Sequence, residues 1–308
     1  MKKYAIIIFA LILTLSLAAC GTPSSDDAKL PVSTIATTPV TPDTSPATDA
    51  APTETTVTPA ADVSLDEQVI FEKDGISITV KGLVMDEFWG PGIKVLIENG
   101  STQNVTVQTR NCSVNGLMLE PMFSCDVAAG KKANDTIQFM NSDLDDAQIS
   151  VIANIEFVLH IFNSDTWDDI VDSDIITLNT SATDYVQIYN DSGFTAYDDG
   201  GIKIVIQKLN SEDSFWGSDV YVYAENNTDE NITIQVRDVS IDGFMIDPMF
   251  SCDIAANKKA YDTITFMESD LEENDITDIT ELELKFHIFN CDTWNDIVDT
   301  DIITVTFE

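Results

Sequence analysis

The chain has 308 residues, with 15 Lys and Arg against 53 Asp and Glu, and a formal net charge of -38. So acidic a surface cannot neutralise phosphates, which argues against nucleic acid as a partner, and it repels anionic headgroups and wall polymers. Cations, basic proteins and neutral glycans are the partners it favours, although the same charge also keeps a protein soluble.

Residues 1-19 read as a secretory leader. Lys2 and Lys3 form a charged start, and the apolar run from Ala5 to Leu17 is too short to span a bilayer comfortably. Leu17-Ala18-Ala19-Cys20 resembles the lipobox of bacterial lipoproteins. That resemblance implies cleavage before Cys20, a diacylglycerol on its thiol, and a chain held on the extracellular face of the membrane. Residues 20-62 are rich in Thr, Pro, Ser and Ala with almost no large apolar side chain, so the expectation is a disordered tether. Some 40 residues would average roughly 35 Å end to end as a coil and about 120 Å if extended as polyproline.

The remainder is an internal duplication. Phe88 to Leu178 aligns without a gap to Phe215 to Val305 at a shift of 127, and roughly half the positions are identical. Pro121-Met122-Phe123-Ser124-Cys125-Asp126 returns as Pro248-Met249-Phe250-Ser251-Cys252-Asp253, and His160-Ile161-Phe162-Asn163 as His287-Ile288-Phe289-Asn290. A period this long predicts two tandem domains, placed at 63-181 and 184-308.

Within each copy the periodicity is that of strands. Ile76, Ile78 and Val80 alternate with polar residues, as do Ile202, Ile204 and Ile206. Asn115-Gly116 and Asp242-Gly243 are two-residue hairpin signals. Ile155, Phe157, Leu159 and Ile161 face one way, and Glu156, His160 and Phe162 the other. Ser142 with Asp145, and Ser269 with Glu272, have capping-box spacing for one helical turn. The fold class is therefore all-β, two immunoglobulin-like antiparallel β-sandwiches after a disordered linker; a barrel is the alternative.

The run Gly130-Lys131-Lys132-Ala133, then Ser142-Asp143-Leu144 and the Ile155-Glu156-Phe157 strand, resembles immunoglobulin-like domains of unknown function in lipoproteins of Gram-positive bacteria. The second copy carries Asn257 in place of Gly130. The resemblance implies extracellular display and brings no catalytic residue.

Candidate sites are few. His160 and His287 lie on a strand's polar face with no second histidine or cysteine at ligand spacing, and the expectation is solvent-facing side chains. Asp165, Asp168 and Asp169, with their counterparts Asp292 and Asp296, crowd oxygen donors of the kind calcium takes, without the spacing of an EF-hand; solvated loop acids are the default reading and calcium the minor one. Trp89, Trp167, Trp216 and Trp294 fall in loops, where tryptophans either form a binding platform or fold back to plug a core. Cys125 and Cys252 are equivalent, whereas Cys112 matches Val239 and Cys291 matches Ser164. If each module closes its own disulfide, the pairs are Cys112 with Cys125 and Cys252 with Cys291; the alternative is four small buried hydrophobes.

These features point to a non-enzymatic, lipid-anchored surface protein whose modules bind an envelope protein or a glycan, or act structurally. The competing readings are an enzyme or enzyme inhibitor with a site between the modules, and a calcium-dependent adhesion module. A solute-binding receptor is disfavoured, because no βαβ alternation appears.

Overall fold

The computed structural model describes residues 63-86, 88-211 and 216-307. The leader, Cys20 and the tether lie outside the described residues. In the first repeat the strands are β1 (Gln68–Lys73), β2 (Ile76–Asp86), β3 (Gly90–Asn99), β4 (Val105–Val114), β5 (Leu117–Met118), β6 (Ser124–Val127) and β7 (Lys131–Gln138). The helical turn α1 (Asn141–Asp146) precedes β8 (Asn154–Asn163), β9 (Asp169–Asp172) and β10 (Ile176–Asn179). The second repeat runs β11 (Phe194–Asp199), β12 (Ile202–Asn210), β13 (Gly217–Asn226), β14 (Ile232–Ile241), β15 (Phe244–Met245), β16 (Ser251–Ile254) and β17 (Lys258–Met267). It closes with α2 (Glu268–Glu273), β18 (Glu281–Asn290), β19 (Asp296–Asp299) and β20 (Ile303–Thr306).

Each repeat is a sandwich of two antiparallel sheets. In the first, β1-β2-β3-β7 faces a sheet in which β4 pairs with β8 and, on its other side, with β5 and β6. The chain crosses between sheets from β3 to β4, back from β6 to β7 and again from β7 to β8, and the pairings β3–β7 and β4–β8 make the Greek key of an immunoglobulin-like sandwich. Alternation drives it: Ile76, Ile78 and Val80 of β2 meet Ile155, Phe157, Leu159 and Ile161 of β8 in one buried core. A second core repeats this with Ile202, Ile204 and Ile206 against Leu282, Leu284, Phe286 and Ile288.

The hairpin signals hold. Asn115 and Gly116 both take positive φ (51° and 83°), as do Asp242 and Gly243 (49° and 85°), which a type I′ turn requires. Asn257 keeps the left-handed backbone of Gly130, with φ of 59° against 68°, as asparagine tolerates. The helical turns form where the spacing put them, but not as capping boxes: the residues before them are Met140 and Met267, with no side-chain cap, and Ser142 Oγ bonds Asp143 instead (2.9 Å).

The repeats do not keep separate sheets. β5 of the first pairs in parallel with β17 of the second through Leu117 and Lys259, so one ten-stranded sheet runs through both. The Lys259 N–H donates to the Gly116 carbonyl (3.0 Å), and Tyr189 of the connecting segment donates its hydroxyl to the Asn115 carbonyl (2.8 Å).

Candidate functional site

The outer face of β8 carries His160 and Phe162 two residues apart, hence side by side. Beyond the strand the chain makes a tight turn around Asn163, whose Oδ1 accepts the N–H groups of Asp165 (2.8 Å) and Thr166 (3.1 Å). The Trp167 N–H then donates to the Asn163 carbonyl (2.8 Å). This turn forces Trp167 to φ 65° and lays its ring over Phe162, centroids 5.5 Å apart and planes within 19°. Phe162 in turn stacks on His160 at 5.2 Å. β9 folds back against β8, and its acids fix the imidazole: Asp172 Oδ1 lies 2.6 Å from Nδ1, and Asp169 Oδ1 lies 3.4 Å from Nε2. Arg110 stands 3.8 Å from the second oxygen of Asp172.

The second repeat builds the same column. Trp294 (φ 61°) lies on Phe289 at 5.6 Å and 17°, and Phe289 on His287 at 5.2 Å. Asp299 is 2.7 Å from His287 Nδ1, Asp296 is 3.5 Å from Nε2, and Arg237 is 3.5 Å from Asp299. Both tryptophans remain about three-quarters exposed, at 75% and 76%. A bulky aromatic at positive φ is an uncommon strained state, and here it holds an apolar ring out in solvent at the same place twice.

Several expectations change. The histidines are on the outer face but are not solvent-facing: each is 3% exposed, covered by the returning strand and the neighbouring phenylalanine. Trp167 and Trp294 are not core plugs. Trp89 and Trp216 do not fill the core either, for both are about half exposed at the tips before β3 and β13. Phe88 packs edge-on against Trp89 at 4.8 Å, and Asp86 accepts both their N–H groups at 2.9 Å, which lowers its carboxyl below the usual range.

Apart from Asp168, the acids named as calcium donors are engaged elsewhere. Among the described residues no three acidic, histidine or cysteine side chains converge as a metal cage. Asp165 binds the Asn104 side-chain amide and Asp292 that of Asn231, both at 3.1 Å, while Asp169 and Asp296 turn to the histidines. Asp168 stands in the same turn, where its N–H meets Thr166 Oγ1 (3.4 Å).

The disulfide pairs do not form, and Cys112, Cys125, Cys252 and Cys291 are free thiols. Strand register explains this. Cys125 faces Val107 across β4, and Cys112 lies five residues farther along that strand, on the order of 13 Å away, beyond disulfide reach. Cys252 and Ile288 flank opposite sides of Ile234, so Cys291, beyond the end of β18, is farther still from Cys252. Cys112 is instead a buried apolar filler, 4% exposed like its counterpart Val239. Burial pushes the Cys112 and Cys252 thiols far up, Cys125 to about 12 and Cys291 to about 11, which suppresses the nucleophilic thiolate.

A cleft of about 480 Å³ separates the repeats beside their shared strand pair, lined among others by Arg110, Cys112 and Glu120 from one side and Cys252, Tyr261 and Asp262 from the other. Its two thiols are the suppressed ones, and both ring nitrogens of each histidine in the chain are taken up by carboxylates elsewhere. No protein-family model and no curated protein matches the chain. No helix among the described residues is long and apolar enough to cross a membrane.

Phe162, Phe289, Asn163 and Asn290 were not singled out as site residues. The signal was present in the recurring His-Ile-Phe-Asn motif, whose alternation puts His and Phe on one face.

Proposed function

We propose that this is a non-enzymatic, lipid-anchored surface protein that binds a neutral glycan of the cell envelope through two equivalent aromatic platforms, centred on Trp167 and Trp294. The observation that supports it is the pair of exposed tryptophan rings, each held flat at positive φ on a Phe–His column. The C–H face of a sugar ring is apolar and stacks on such a surface, while its hydroxyls donate to nearby carboxylates such as Asp168 or Asp296. The charge of -38 favours an uncharged polymer over an anionic one. Two weak sites in one chain gain avidity on a repeating polymer through effective concentration. Acylation at Cys20 would place them on the extracellular face, with residues 20-62 as the tether.

The experiment is co-sedimentation of the full chain with an insoluble neutral polysaccharide. Trp167→Ala or Trp294→Ala alone should weaken retention by 10-fold or more, and the double variant should abolish it with the far-ultraviolet spectrum unchanged. Undiminished retention of the double variant refutes the reading. Cys20→Ala should release the protein from the membrane fraction; continued partition there would refute the anchor.

A further inference from the structure

The joint between the repeats has two halves, and each repeat carries the counterpart of both. On one side stands the β5 edge of repeat 1, with Gly116, Leu117 and Met118 and, beside them, Glu156. On the other stands the β17 edge of repeat 2, with Lys258, Lys259 and Ala260. The Lys259 N–H meets the Gly116 carbonyl, Lys258 Nζ pairs with Glu156, and Met118 packs against the second repeat's core. The β5 counterpart in repeat 2 is Gly243, Phe244 and Met245 with Glu283. The β17 counterpart in repeat 1 is Lys131, Lys132 and Ala133.

Both counterparts are open. β15 ends its sheet, with Phe244 and Met245 exposed, where Leu117 is fully buried in the joint. β7 likewise ends its sheet, with Lys131 and Lys132 exposed, where Lys258 and Lys259 are half-buried. Glu283 shows the unjoined state of Glu156: with no lysine across from it, it accepts the Ser240 hydroxyl (3.1 Å).

We propose that a second copy of this chain docks head to tail on these edges, β15 of one copy against β7 of the next, repeating the joint already made within the chain. The pairing would set the Lys132 N–H against the Gly243 carbonyl and Lys131 against Glu283 of the neighbouring copy. An exposed strand edge is a template for such addition, and lysines normally protect it by lacking a partner. Here the counterpart lysine does have one, Glu156, inside the chain. The contact joins two different surfaces, so each added copy leaves both kinds of edge free at the ends and the assembly adds copies in a row unless its rotation closes a ring. Tyr261 of the joint has Asn134 as its counterpart, and Tyr189 belongs to the covalent connection, so the contact between copies is weaker than the joint. Anchoring in one membrane would raise the local concentration that favours it.

The test is sedimentation velocity of the full chain in non-ionic detergent at physiological salt over a rising concentration series. The expected result is a concentration-dependent ladder of species. Lys131→Glu, at an exposed position, should collapse it to a single species with an unchanged far-ultraviolet spectrum, and Lys131→Glu combined with Glu283→Lys should restore it. A single species for the unmodified chain throughout, a ladder indifferent to Lys131→Glu, or a loss that Glu283→Lys does not restore would each overturn the proposal.

Discussion

Glu156 of the first repeat forms an ion pair with Lys258 of the second, and its backbone faces Ser113 of β4. Ser113 Oγ is the single buried side-chain polar atom without a partner among the described residues. The equivalent Ser240 hydroxyl donates to Glu283. The two repeats thus compare one serine with and without its glutamate.

Ser113→Ala should therefore be neutral or stabilising by up to about 1 kcal/mol, because it removes a desolvated hydroxyl that makes no bond. Ser240→Ala should cost about 1 kcal/mol, since it loses a bond and frees a half-buried carboxylate. Urea denaturation of both variants checks this. Equal losses in the two would show that Glu156 serves Ser113 after all.

Trp167 sits at φ 65° with its ring stacked on Phe162 and three-quarters exposed. Trp167→Gly removes about 1–2 kcal/mol of left-handed strain and loses about 0.5–1.5 kcal/mol of ring stacking on Phe162. The expectation is a stability within about 1 kcal/mol of the unmodified chain together with a loss of polysaccharide retention. A loss of 3 kcal/mol or more in denaturation would make the ring a structural plug.

The duplication and the sandwich were legible because both are written in local pattern. Alternation along β2 and β8 and the Asn-Gly and Asp-Gly turns specify strands and hairpins without reference to distant residues. The burial of His160 was not legible, although its face was, because its cover comes from β9, which returns from a loop whose acids read first as solvated turn caps. The joint was hidden for a related reason. Gly116 and Gly243, or Lys131 and Lys258, are identical in sequence, and only the tertiary arrangement decides which pair meets. The cysteines failed as a disulfide framework because register along β4 and across β14 sets their separation, and spacing in the chain does not reveal it.

Asp262 gives the fold a defined pH response. Burial is the main cause that raises its carboxyl above the ordinary 3.8, with Asp253 adding to it, while the Thr263 N–H and the Cys252 thiol oppose. A folded pKa above the unfolded one means that the fold binds this proton more tightly. The ionised group therefore destabilises at neutral pH, and that penalty fades as the pH falls through the raised pKa toward 3.8. Asp262→Asn should raise the thermal midpoint at pH 7, by about 2–4 °C for each kcal/mol relieved in a unit of this size. The gain should shrink to nothing near the unfolded pKa. A gain that is constant with pH would assign the effect to packing instead.

The thiols supply the last prediction. Cys112, Cys125 and Cys252 are buried, and Cys291, at the end of β18, is only partly so. Alkylation requires both access and thiolate. Among these four, Cys291 should thus be modified first in the native chain, and there about 100-fold or more slower than an ordinary exposed thiol at pH 7.5, because its pKa is pushed to about 11. In denaturant without reductant all four should alkylate fully, since register keeps Cys112 from Cys125 and Cys252 from Cys291. Peptide mapping by mass spectrometry reads both steps. Cys112 or Cys252 reacting before Cys291 would show that the cleft between the repeats opens in solution, and a denatured chain with fewer than four alkylated sites would show a bond that the strand register forbids.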